Sequence, residues 1–244
     1  ARDEAATVGL VLWKIRQVFT DAPREYHLLV GDDASTDATP DVLAPYTKVL
    51  PLTVLRQDRH AGYARTLERL LRHAVTLSDR PRRDAAVVLP ADFLHAPATI
   101  AELLKKVDSG ADLVVAESQG EGAPTRGHRL LRRYAPLLLR RRGRVPGVRD
   151  TVSGFLAMRL SVAKDALPGN GPVLMSDGWA ANAELIGREG KVTLAAGVQW
   201  YTTPTLVAIE EAIAAAYQNG HDQHAGLVSP AIIDTAIAQW EESS

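Results

Sequence analysis

The residues best able to do chemistry are acids that follow short apolar runs. Tyr26 to Val30 is such a run, and it ends in Gly31, Asp32, Asp33, Ala34, Ser35, Thr36 and Asp37. Carboxylates leaving a buried strand can accept hydrogen bonds from a nucleobase ring nitrogen or ribose hydroxyls, while Ser35 or Asp37 can cap the next turn. The aspartates at 32, 33 and 37 exceed what one turn uses, which favours a ligand over a plain Asx-rich loop. Asp92 stands in a similar place, after the apolar run Ala85 to Leu89 and Pro90; its other reading is a favourable charge before the helix that opens near Pro97. Positive charge is concentrated elsewhere. Residues 126 to 149 hold nine arginines and no acid around Leu130, Tyr134, Leu137 and Leu138, the pattern of a basic amphipathic helix. That helix is a solvated face, a clamp for substrate phosphates or a surface for anionic lipid; the absence of any acid favours an anion, because guanidinium groups suit bidentate phosphate binding.

The elements that must position these groups alternate. Val8, Leu12, Ile15 and Phe19 recur at helical spacing, and Tyr26 to Val30 reads as a buried strand. A helix from Pro40 to Tyr46, a strand from Leu52 to Leu55, and a helix carrying Leu67, Leu70, Leu71 and Ala74 follow. Ala85 to Leu89 is the next strand, Pro97 to Val107 the next helix, and Leu113 to Ala116 a fourth strand. Further on, Val152 to Met158 reads as a strand, Trp179 to Gly187 as a helix, Lys191 to Tyr201 as extended, and Pro204 to Gln239 as mostly helical. This alternation predicts an α/β fold with a mainly parallel sheet covered by helices, and ligands in such sheets sit at the carboxyl ends of strands. Asp32, Asp33 and Asp92 are therefore expected on one edge.

The 244 residues, 46% hydrophobic, suit one large domain, read as 1–203 with a helical extension over 204–244. With 28 basic and 29 acidic residues the net charge is -1, so no global field recruits nucleic acid or an anionic membrane. The absence of cysteine excludes a disulfide frame, a thiolate nucleophile and a sulfur-bound zinc, and makes a reducing cytoplasm the plain expectation. No apolar run of membrane-spanning length occurs, so any membrane contact is expected to be peripheral, at the inner face.

Five segments in order carry a family resemblance. Val30 to Thr39 resembles the "VDDxSxDxT" signature of family 2 glycosyltransferases, which have the GT-A (Rossmann-like) fold. Ala1 to Ala5 resembles the loop that ends their first strand, so that strand is expected upstream of Ala1. His60 to Ala64 resembles their glycine-containing "N-x-G-x-G-x-A" loop. Leu89 to Pro97 and Val148 to Phe155 resemble "M-D-A-D-x-x-H-P-P" and "V-x-D-x-x-S-G-F" of the dolichol-phosphate mannose synthase branch.

The resemblance implies transfer of a sugar from a nucleotide-diphosphate donor, by inversion, to a polyprenyl phosphate or a hydroxyl. It assigns donor contacts to Asp3, Glu4, Asp32, Asp33 and Asp92, with Asp33 as the leading base contact. It gives Mg²⁺ or Mn²⁺ to Asp92, since a hard cation neutralises charge on the leaving diphosphate. Arg126, Arg132, Arg133, Arg149 and Ser153 become acceptor or phosphate ligands. Asp177 is the candidate base for a hydroxyl acceptor, with Glu184 in a similar helix motif or an ordinary capping acid as the alternatives. Departures point the other way: Pro90 replaces the first metal acid, Leu156 the arginine after "S-G-F", and Ala195-Ala196-Gly197 the usual "E-V-P". They support a rival reading, a GT-A-like module that binds nucleotides without catalysis.

Overall fold

The computed structural model describes residues 1–118, 154–176, 178–187 and 192–198. The elements are α1 (Val8–Asp21), β1 (Leu28–Asp32), α2 (Thr39–Tyr46), β2 (Leu52–Arg56), α3 (Tyr63–Leu77), β3 (Ala85–Val88), α4 (Thr99–Asp108), β4 (Leu113–Ser118), β5 (Leu156–Arg159), α5 (Leu160–Ala166), α6 (Trp179–Gly187) and β6 (Val192–Val198). Arg126, Arg132, Arg133, Arg149, Ser153 and Asp177 lie outside the described residues, as does the 204–244 extension.

Helical periodicity names the buried faces. Val8, Val11, Leu12 and Ile15 of α1, Leu67 and Leu71 of α3, and Ile100, Leu103, Leu104 and Val107 of α4 are all buried. In α4, Glu102 lies in the first turn and Lys105 and Lys106 in the last, each complementing the helix dipole. The first strand begins two residues later than the apolar run. Tyr26 is not in the ladder because its ring stacks on Phe19 of α1, centroids 4.3 Å apart, and the ladder extends instead through Gly31 to Asp32. Short α5 breaks from β5 with no connecting loop, which is why apolar periodicity read in isolation did not reveal it.

β1 pairs in parallel with β2, Leu28 opposite Leu52 through Asp32 opposite Arg56. The second sheet has the order β3-β5-β4-β6. Here β4 and β6 are parallel, whereas β5 runs antiparallel to both neighbours. Its direction follows from where it enters: Leu156, its first residue, pairs with Val115 in the middle of β4, and Met158 pairs with Leu113 at the start, so the chain enters β5 from the side toward which β4 runs. Gly154 is thereby brought to the carboxyl edge of β3 and β4.

Alternation along the central strands buries both faces. Val114, Ala116, Phe155 and Ala157 join one cluster with α1, α2 and α4. Leu113, Val115, Leu156 and Met158 join another with α3, α5 and α6. No helix among the described residues is long and apolar enough to cross a membrane.

Candidate functional site

The acid-rich strand end is zipped to the start of the chain. Ala1 N donates to Gly31 O at 2.7 Å, and Asp33 N donates to Ala1 O at 3.0 Å. Asp3 N donates to Ser35 Oγ at 3.0 Å, and Asp3 Oδ1 accepts from Thr36 N at 2.7 Å. Glu4 N reaches Thr39 Oγ1 at 2.8 Å, and Ala5 N reaches Asp37 Oδ2 at 3.1 Å. Asp3 holds a left-handed backbone, φ 57°, and the backbone amide of Thr36 keeps its carboxyl below the usual range. The hydroxyls and carboxylates of this segment are thus largely engaged in joining two loops.

Asp32 and Asp33 do different work. Asp32 is fully buried; Oδ1 accepts from Ser35 N at 3.0 Å, and Oδ2 lies 3.5 Å from Arg56 Nε. Asp33 is 5% exposed and turns toward the loop after β2. Its Oδ1 accepts from Gln57 Nε2 (2.9 Å) and Ala61 N (2.7 Å), its Oδ2 from Gly62 N (3.0 Å), and His60 Nδ1 lies 2.7 Å from Oδ2. One carboxylate therefore shapes the whole His60–Gly62 turn, where Gly62 has φ 92°. Between them in the fold, Gly31 permits close packing of β1 on α3: a Cβ there would stand 2.4 Å from Thr66 Cγ2.

Just beyond Gly62, three distant segments meet. Tyr63 Oη donates to Asn182 Oδ1 at 2.7 Å, joining α3 to α6. Gly154, at φ 70°, lies beneath both: a Cβ would meet Asn182 Nδ2 at 2.6 Å and Tyr63 Oη at 2.9 Å. Burial pushes the Tyr63 phenol up to about 12, and the negative charge of Asp92 acts in the same direction. A phenol that holds its proton in the folded protein but releases it near 10 when unfolded loses stability as pH rises between those values. Tyr63→Phe should therefore remove an alkaline loss of about 2–3 kcal/mol between pH 10 and 12, read from urea unfolding across that range.

Asp92 follows β3 by four residues, and the next residue, Phe93, is buried with φ 56°. Asp92 Oδ1 accepts from Leu94 N at 3.1 Å. Glu4 is half-buried and its carboxyl is raised, chiefly by burial, with the charge of Asp92 acting in the same direction. Glu4 Oε2 accepts from Thr7 Oγ1 at 2.8 Å. No group of three or more His, Asp or Glu among the described residues is arranged to hold a metal ion. Glu184 binds protein backbone: Oε2 accepts from Met175 N and Ser176 N, both at 2.9 Å. Arg159, three residues after Leu156, lies at the opposite end of β5, where it holds Arg82 O and Val107 O.

Residues 1–167 match the model of Glycosyl transferase family 2. The chain belongs to that family. Over 144 residues this family 2 chain is 25% identical to a dolichol-phosphate mannosyltransferase of Pyrococcus furiosus, covering 57% of the chain and 39% of that relative. S. aureus TarS 1–349 in complex with UDP-GlcNAc is similar in structure at TM-score 0.53 and 16% identity, over 86% of this chain and 64% of that one. The mannosyltransferase PcManGT of Pyrobaculum calidifontis, in complex with GDP-Man and Mn²⁺, is similar at TM-score 0.51 and 18% identity, over 87% and 59%. The chain thus spans about two fifths of the curated relative and under two thirds of these structures. The fold is GT-A, as the ordered motifs imply.

Tyr63, Asn182, Gln57 and Glu68 were not singled out from the sequence. Asn182 had one usable signal, a polar residue in the apolar helix Trp179 to Gly187, and it is 3% exposed.

Proposed function

We propose that this chain is the donor-binding part of an inverting glycosyltransferase that uses a nucleotide-diphosphate sugar. The observation that supports it most directly is the joining of the Asp3–Glu4 loop to the acid-rich strand end, Asp3 N on Ser35 Oγ and Glu4 N on Thr39 Oγ1, beside the His60–Gly62 turn that Asp33 holds. The relatives point the same way, since two similar structures hold UDP-GlcNAc and GDP-Man. In this reading the Asp3–Glu4 and Asp32–Asp33 loops form the nucleoside side and Asp92 the diphosphate side. The acceptor oxygen attacks the anomeric carbon as the bond to the β-phosphate oxygen breaks, releasing the nucleoside diphosphate. With a hydroxyl acceptor the proton passes to Asp177; a polyprenyl phosphate needs no base because it is already an anion. Arg126, Arg132, Arg133, Arg149 and Ser153 would then hold the acceptor phosphate, at the cytoplasmic face of the inner membrane.

A divalent ion, Mg²⁺ or Mn²⁺, would be held by Asp92 and would neutralise charge on the leaving diphosphate. Pro90 contributes no side-chain ligand, so the protein alone offers little, and the donor's phosphate oxygens must supply the rest. Manganese should therefore bind measurably only with a nucleoside diphosphate present, as followed by electron paramagnetic resonance of free Mn²⁺. UDP or GDP with Mn²⁺ should also raise the melting temperature, since a ligand at a hundredfold excess over Kd adds about 2.7 kcal/mol of stability. No shift with any nucleoside diphosphate would defeat the proposal.

Pro90 also favours a second reading, a nucleotide-binding module without catalysis. Metal-dependent release of nucleoside diphosphate from a sugar donor would exclude it.

A further inference from the structure

Helix α3 carries a cluster of positive charge that lies outside the five family motifs. Arg65, Arg69, Arg72 and His73 recur at helical spacing and share one face. With Leu55 of β2 and Asn170 to Pro172 of the loop after α5, they line a cavity of about 500 Å³ that is open to solvent. Among the described residues that line it, Glu68 is the one acid, so three guanidinium charges face a single carboxylate. That carboxylate is already engaged. It is buried, and Oε1 accepts from Val173 N (2.7 Å), Leu174 N and Arg65 Nη1 (3.3 Å).

The other two arginines are fixed in place without being neutralised. Arg72 donates through Nη1 to Leu167 O (2.9 Å) and Gly169 O, and through Nη2 to Gly171 O (2.9 Å). Arg69 donates through Nη1 to Arg56 O at 3.0 Å. Carbonyls orient a guanidinium but bring no negative charge, and among the described residues neither arginine forms an ion pair with a carboxylate. Each guanidinium has more N–H groups than these bonds use, so both keep donors for a ligand. A merely solvated helix face leaves such heads mobile, whereas here their orientation is set before anything binds, which lowers the entropy cost of binding.

We infer that this cavity is an anion site for the phosphate monoester of a small molecule, with Arg69 and Arg72 as its principal ligands. Guanidinium forks match phosphate oxygens in pairs, and a phosphate monoester carries about −1.5 to −2 charges near neutral pH, which balances three arginines less one glutamate. The cavity is larger than a phosphate ion and falls in the range of about 300–1,000 Å³ usual for small-molecule sites. Leu55 and Pro172 supply an apolar wall for the organic part. None of these side chains belongs to the Asp3–Glu4, Asp32–Asp33 or Asp92 loops, so the site holds or fails apart from the nucleotide-sugar reading.

Isothermal titration with glucose 6-phosphate, inorganic phosphate and glucose tests it. The wild type should bind both phosphates and not glucose. Arg69→Gln should weaken both phosphates about tenfold or more, because hydrogen bonds to a charged group are lost. Arg16→Gln, the same change at an exposed position of α1, should leave them unchanged. Arg69 is the position of choice because it is exposed and braces one carbonyl, whereas Arg72 braces three and its variant can fail to fold. No binding of either phosphate, or equal weakening by Arg69→Gln and Arg16→Gln, would overturn the site. Loss of UDP binding in step with phosphate binding in Arg69→Gln would also overturn it, since the basic face would then serve the diphosphate of a nucleotide. Vesicles of phosphatidylcholine with phosphatidic acid separate the remaining source: co-sedimentation without binding of glucose 6-phosphate would assign the face to lipid and overturn the small-molecule site.

Discussion

Asp33→Ala should lower the melting temperature by about 6–12 °C and abolish stabilisation by UDP or GDP, as read in one thermal-shift series with and without nucleotide. The reasoning starts from the four donors that the carboxylate holds, Gln57 Nε2, Ala61 N, Gly62 N and His60 Nδ1. Alanine leaves two buried or half-buried amides and one side-chain amide without their acceptor. Hydrogen bonds to a charged group contribute about 1.5–3 kcal/mol each, and the loss is not additive, so about 3 kcal/mol is expected. The binding effect follows from geometry. Without Asp33 the His60–Gly62 turn has nothing to hold it over the strand end, and any nucleoside pocket lined by that turn opens. An unchanged melting curve would show that the turn is ordered by other means. Asp33→Asn is the informative control: its Nδ2 group faces the donors that Oδ2 now accepts, so it should fall between wild type and alanine.

The second large effect is expected at Gly154. Alanine there must hold φ 70°, which costs about 1–2 kcal/mol, and its Cβ would stand 2.6 Å from Asn182 Nδ2 and 2.9 Å from Tyr63 Oη. Neither neighbour moves freely, because they are bonded to each other at 2.7 Å and Asn182 is 3% exposed. Overpacking of this kind adds about 1–3 kcal/mol, giving a total of about 2–5 kcal/mol. Asn182→Ala removes the nearest clash while leaving the backbone cost. The double variant Gly154→Ala, Asn182→Ala should therefore be more stable than the sum of the single effects predicts, measured by denaturant unfolding of all four proteins. Simple additivity would mean that the clash is relieved by a backbone shift instead.

These two positions show what a sequence can and cannot yield. Asp33 was singled out because an acid at a strand end is a local signal, whereas Gly154 entered only as a member of the Val148 to Phe155 segment. Asp33 was read as a base contact, and what the structure adds is its hold on the loop twenty-eight residues on, at Ala61. That partner is set by how β2 lies beside β1, which no local pattern encodes. The same holds for Asp32, expected at the donor and found fully buried against Ser35 and Arg56. The α/β alternation was legible because strand and helix periods differ, and the parallel pairs β1–β2 and β4–β6 agree with it. The antiparallel insertion of β5 was not legible, since it depends on the edge from which the chain returns after β4. Tyr63 and Glu68 escaped notice for a related reason: on an amphipathic helix they look like ordinary surface residues until α6 and the loop before it close over them.

The Tyr63–Asn182 bond joins residues 119 apart in sequence, and Glu68 reaches Val173 across 105. Contacts of such separation must meet the entropy of closing a long loop before they return any energy, so they form after the local pairings. The β1–β2 unit and its helices can assemble from neighbouring segments, whereas the junction under Gly154 waits for β5 and α6 to dock. Closure of this junction is thus expected as a late step of folding for this chain, and its bonds are expected to open before the rest of the core when the protein begins to unfold, which native-state hydrogen exchange would read.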